Sequence, residues 1–194
     1  MAMHRFSRGD LPAMPWKNGG GTTQEIVCWP PGAGLDDFAW RASIATVAAA
    51  GPFSVFPGVD RSILLLEGQG LRLQSHAFDH RLDEPHRPFD FDGAAAVDCS
   101  LLGGATADFN LMVRRALGTA RMRVLIDAAQ TGAVAHGLLM ALSGSWQVGD
   151  VSLAAGDGLY WTDEPNGWDC RPTGPAARLL AIEWRSGAQG NPAR

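Results

Sequence analysis

The residue types best suited to chemistry lie together near the start of the chain. Trp16, Lys17 and Asn18 are followed by Gly19, Gly20 and Gly21, then by Thr22, Thr23, Gln24, Glu25 and Ile26. Three consecutive glycines make a loop whose backbone takes positive φ at little cost and can approach a ligand closely. If the residues after it are extended, Thr23 and Glu25 share one face while Gln24 and Ile26 share the other. An indole, an ammonium, backbone N–H donors and a Thr/Glu face together suit a small polar molecule. The same residues also describe a glycine turn packed under a tryptophan beside a solvated lysine.

A second set is built on arginine. Residues 108–115 read Asp-Phe-Asn-Leu-Met-Val-Arg-Arg. In a strand, Asp108, Asn110, Met112 and Arg114 share one face, and Phe109, Leu111 and Val113 the other. An earlier run alternates in the same way, with Phe38, Trp40, Ala42 and Ile44 opposed to Arg41, Ser43 and Ala45. Guanidiniums turned into a hollow without partners cost several kcal/mol each, so they need carboxylates, water or an anionic ligand. The internal acids for Arg41, Arg61 and Arg114 are Glu25, Asp60 and Asp108. Full pairing would make a structural ion-pair network. A guanidinium left over would make a carboxylate receptor, because its fork holds both oxygens.

Other chemistries fit poorly. His76 and His80 stand four apart in a polar stretch, and His86 and His136 are isolated, so no set of three or four metal ligands is apparent. Lys17 precedes its glycines instead of following them, unlike a phosphate loop. No Gly-x-Ser-x-Gly elbow is present. Cys28, Cys99 and Cys170 are odd in number and unpaired in spacing, which suits reduced thiols in a cytoplasmic protein. A formal charge of −4 with a single lysine leaves no basic stripe for nucleic acid. The N-terminus has no apolar leader and no apolar run suits a membrane span, so neither export nor membrane insertion is expected.

The elements that must position these residues are strands. Short alternating runs are broken by Gly/Pro turns, and no amphipathic helix is evident. A strand near His4 is an edge candidate, residues 53–56 read as a short strand, and residues 75–87 read as a connection. Runs on either side of Gly68 look like a hairpin, and those around Gly144 repeat it, which suggests a duplicated small barrel. The reading is all-β: a jelly-roll or cupin-like antiparallel barrel. The tail from Gly187 is expected to be disordered.

The stretch Pro15–Ile26 resembles the opening motif of the HutD/Ves family of bacterial cupin-like proteins. The resemblance continues through residues 40–45 (Trp-Arg-Ala-Ser-Ile-Ala), residues 51–58 with Arg61, and residues 108–115. Four blocks in order over roughly the first 115 residues make it specific, although Gln24 stands where many relatives carry a basic side chain. The resemblance implies two tandem cupin-like halves, residues 1–115 and 116–194, without a metal or other cofactor. It implies a pocket for N-formyl-glutamate or a related small carboxylate, in a protein that modulates histidine utilisation. Arg41, Arg61 and Arg114 would then meet carboxylates, and Asn18 and Asn110 the amide. Thr23 and Glu25, with Ser43 beside them, would orient the N–H side. Trp16, Lys17 and Gly19 would form the mouth. Two rival readings remain. One is a cofactor-free isomerase or hydrolase using Glu25 or Asp108 as base and Lys17 or Arg114 at an oxyanion. The other is an interaction module that forms a homodimer through a sheet edge.

Overall fold

Residues 2–187 are described by a computed structural model, and they form nineteen β-strands and one turn of 3-10 helix at Arg8–Asp10. Among them no helix is long and apolar enough to cross a membrane. The first stretch holds β1 (Ala2–Ser7), β2 (Ala13–Pro15), β3 (Gly21–Trp29), β4 (Trp40–Val47), β5 (Gly51–Pro52) and β6 (Val59–Glu67). Then come β7 (Leu71–Gln74), β8 (Asp79–Leu82), β9 (Pro88–Asp92), β10 (Asp98–Leu101) and β11 (Thr106–Arg114). The remainder holds β12 (Gly118–Leu125), β13 (Ala129–Gln130), β14 (His136–Ser143) and β15 (Ser145–Val148). It ends with β16 (Val151–Ala154), β17 (Asp157–Thr162), β18 (Asp169–Pro172) and β19 (Arg178–Ser186).

These strands pair antiparallel in four sheets. The first half contributes the orders β2-β3-β4-β11-β6-β9 and β5-β10-β7-β8, and the second β1-β17-β14-β19-β12 and β13-β18-β15-β16. The run β4-β11-β6-β9 matches β12-β19-β14-β17 with every number raised by eight, and the two small sheets match by the same offset. The duplication is therefore one of topology. Strand β1 crosses the sequence division: it pairs with β17, along the edge of the second half's large sheet.

The turns at Gly68 and Gly144 do not close hairpins. Each carries the chain from a large sheet to a small one, β6 to β7 and β14 to β15. Such a corner brings backbone against backbone. Gly68 stands at φ +92°, where a Cβ would lie 2.7 Å from the Ala105 carbonyl, and Gly144 at φ +64°, where one would lie 2.8 Å from the Ala177 Cα. The stretch 75–87 contains a strand, β8, whose His80 ring stacks on Phe89 at 3.7 Å. Residues 53–56 are irregular instead of forming a strand. The expected disorder of the tail falls on residues 188–194, outside the described residues.

Alternation gives each sheet two distinct faces, and the two large sheets stack on their apolar ones. Ile44, Leu64, Phe109, Leu111 and Val113 pack with Leu138, Met140, Leu180, Ile182 and Trp184 in one core shared by both halves. Inside the second half, Leu139, Leu159, Trp161 and Leu179 meet Trp146, Val148 and Leu153. Inside the first half, Ile63 and Leu65 meet Leu71, Leu73 and Leu82. The rest of that inner face carries Arg41, Ser43, Arg61, Asp108 and Asn110 beside Ala45 and Met112, and there the site lies.

Because Phe109 is fully buried in the shared core, Phe109→Ala should cost about 3–5 kcal/mol. Denaturant unfolding should show an earlier midpoint for the whole chain. An unchanged midpoint would contradict the shared core.

Candidate functional site

Strand β11 lies between β4 and β6, and this register assembles the site. Met112 stands opposite Arg41 on one side and Arg61 on the other; Asn110 stands opposite Ser43 and Ile63. On the next strand outward, Glu25 faces Ser43 and Thr23 faces Ala45. A bulge after Glu25 lets Ile26 and Val27 both join the shared core while Thr23 keeps its inward position. The result is a cavity of about 520 Å³ inside the first half, lined by Arg41, Ser43, Arg61, Asp108, Asn110 and Met112, with Thr23 beside them.

The glycine loop forms its mouth. Gly19 takes φ +71°, and the Gly20 N–H donates to Asn18 Oδ1 at 3.0 Å, so Asn18 ties its own turn. At Gly21 a Cβ would collide with the Thr46 carbonyl and lie 3.0 Å from the Trp16 ring. That close approach places the Trp16 indole, whose Nε1–H donates to Thr23 Oγ1 at 2.7 Å. Trp16, Lys17 and Asn18 line the opening with Leu35, Phe53 and Phe56. The glycines thus set the tryptophan in place.

The arginines fare differently from one another. Arg41 donates Nε–H to Glu25 Oε2 at 2.7 Å and Nη1–H to Ser43 Oγ at 3.2 Å. Asp60 goes to Arg115 at 2.7 Å, and Asp92 joins that exposed pair. Arg114 does not line the cavity. Two residues beyond Met112, it reaches past the end of the hollow, where Nε–H and Nη2–H donate to the carbonyls of Phe38 and Asp36 at 3.1 and 2.7 Å. Its guanidinium lies 5.2 Å from the Phe38 ring. Glu25 and Gly19 are likewise outside the lining, Glu25 serving it through Arg41. Gln24 points away and donates to the carbonyls of Arg8 and Leu11.

Arg61 is the guanidinium left over. It is buried, and among the described residues no carboxylate lies within ion-pairing distance of it. Nη2–H donates to Asn110 Oδ1 at 3.1 Å and Nη1–H to the Ser54 carbonyl at 3.4 Å, while Nε has no partner. The rings of Phe91, Phe53 and Phe56 surround it at 5.0, 5.3 and 5.8 Å. Those aromatic faces help hold a cation largely removed from water. Burial lowers its pKa to about 10, against the opposing pull of Asp108, so it stays charged at neutral pH.

Asp108 completes the chain of contacts. Its exposure is 1%, its Oδ1 accepts a short bond from Asn110 Nδ2–H, and its Oδ2 has no partner. Burial pushes its pKa up to about 7, with the Asn110 bond and Arg61 pulling the other way. Asn110 is therefore engaged at both ends, accepting from Arg61 and donating to Asp108. Leu35, Phe53 and Phe56 escaped the sequence reading because they sit on irregular chain, where no alternation reports which way a side chain points.

Fold and site together define an all-β protein of cupin-like architecture whose first half holds a cavity with charged groups set among apolar ones. The HutD family profile matches residues 8–180. The chain belongs to the HutD/Ves family. Protein Ves of Citrobacter koseri is 42% identical over 189 residues, covering 95% of this chain and 96% of that one. A conserved protein of unknown function from Pseudomonas aeruginosa PAO1 superposes with TM-score 0.85 at 34% identity, over 96% of this chain and all of that one. HutD from Pseudomonas fluorescens SBW25 gives TM-score 0.83 at 29% identity, covering 95% of this chain and 100% of that one.

Burial raises the folded-state pKa of Asp108 above its unfolded value, so the protein favours the protonated carboxyl. The stability that this brings is fully present below the unfolded value and is lost as pH rises through about 7. Asp108→Asn removes that dependence. Between about pH 5 and about pH 8 the variant's melting temperature should gain on that of the wild type; a difference that stays constant would contradict the assignment.

Proposed function

We propose that the chain is a bicupin whose first half is a receptor for a small carboxylate, with N-formyl-glutamate or a related intermediate of histidine breakdown as the ligand. In this reading it binds without a metal and modulates that pathway in the cytoplasm. The observation that carries the proposal is Arg61, a buried cation that, among the described residues, has no carboxylate in direct contact with it. Two of its N–H donors are engaged by protein oxygens. The others remain for the two oxygens of a carboxylate, the geometry in which charge-assisted bonds are strongest.

Further support comes from the surroundings. A cavity of about 520 Å³ is of small-molecule size. Arg41 holds donors beyond those bound by Glu25 and Ser43, and it shares a rung with Arg61 across Met112, which suits a second carboxylate of the same ligand. Asn110 fixes the Arg61 fork in place, and Trp16 and Lys17 flank the opening. Asp108 favours a second reading, a cofactor-free acid–base catalyst, because a carboxyl poised near 7 can exchange protons at working pH. A ligand recovered unchanged after prolonged incubation supports the receptor, and its conversion the enzyme.

The test is a thermal-shift series with formate, glutarate and N-formyl-glutamate. A ligand at a hundredfold its Kd should stabilise the fold by about 2.7 kcal/mol. Arg61→Gln should abolish the shift. Arg114→Ala should lower the melting temperature and keep the shift, since it loses a tie to the 36–38 turn and nothing in the cavity. Equal shifts in wild type and Arg61→Gln would reject the receptor.

A further inference from the structure

We propose that the cavity takes up its anionic ligand together with a proton, and that Asp108 holds that proton. The inference rests on the carboxylate-receptor reading and specifies how one site handles two negative charges.

The geometry supplies the reason. Asp108 and Arg61 occupy the same hollow, and among the described residues they are linked through Asn110 alone. The groups that face Asp108 come from each neighbouring element. Strand β6 brings Arg61; β4 sets Ala45 opposite Asp108, and its Arg41, held by Glu25 of β3, lines the same cavity further along. From the opposite sheet β10 brings Cys99, whose thiol burial pushes up to about 12, so it stays neutral. Asp108 is thus the acid that balances Arg61, and it does so at a distance. A ligand carboxylate on the guanidinium takes over that role. Two anions then share a space of low dielectric, and like charge opposes ionisation.

Asp108 is the partner that can yield. It takes one proton from solvent on Oδ2, the oxygen that has no partner, and the only bond formed is that O–H. Its carboxyl already titrates near neutrality, so an added anion carries the uptake into and above the neutral range. By linkage the proton then strengthens the ligand as much as the ligand strengthens the proton.

Calorimetric titration of the full chain with glutarate at about pH 8, in two buffers of different ionisation enthalpy, reads the uptake directly. Glutarate is fully ionised there and contributes no proton change. The uptake should approach one proton per ligand, and Kd should rise towards about tenfold per pH unit on the alkaline side. Asp108→Asn should bring the uptake to zero. If that variant fails to fold, the carbon-13 carboxyl signal of Asp108 in the wild type decides the matter, since it should titrate at higher pH with glutarate than without. Binding with no uptake, no pH slope and an unmoved Asp108 signal overturns the proposal and leaves the receptor standing. No heat and no thermal shift with any carboxylate at any pH overturns both.

Discussion

The first half is organised around a charge that folding has buried without a carboxylate in direct contact. Removing a guanidinium from water costs several kcal/mol unless its donors and its charge find partners. Arg61 has two oxygen partners and three aromatic faces, and its nearest acid is reached through an amide. That arrangement persists only because the shared core behind β11 and the small sheet in front of it hold the strands in fixed register. The cost is carried by the packing around the site.

The two halves answer the same structural question in opposite ways. Their sheets have matching strand orders. In the second half Glu183 is buried, but it accepts from Arg123 at 2.7 Å and from the Gly132 N–H at 2.9 Å, and tryptophans fill the interior. Its charges close on themselves. In the first half Glu25 and Asp60 are drawn to Arg41 and Arg115, towards the surface, and Arg61 is left open. One copy of the topology therefore serves as packed support while the other keeps a hollow with Arg41, Arg61 and Asp108 on its wall.

Much of this was legible in the chain, and the parts that were not share a cause. Alternation along residues 108–113 separated Phe109, Leu111 and Val113 from Asp108, Asn110 and Met112 correctly, and the fold turns the first set to the shared core and the second to the cavity. The family was legible from four motifs. What a local pattern cannot report is the identity of the neighbouring strand. Hence Gly68 read as a hairpin when it turns a corner between sheets, and β1 gave no sign of its partner in the second half. Arg114 obeys the alternation and still misses the cavity, because the hollow ends one rung earlier and Phe38 waits beyond it. Depth along a strand is set by the tertiary fold.

The central claim is that Arg61 is the anchor for an anion, and the most direct check is a crystal structure of the protein grown or soaked with glutarate. A carboxylate should appear inside the first half with its oxygens about 2.8 Å from the Arg61 guanidinium nitrogens. Glutarate seated elsewhere on the protein, with Arg61 still bound only to Ser54 and Asn110, would contradict it.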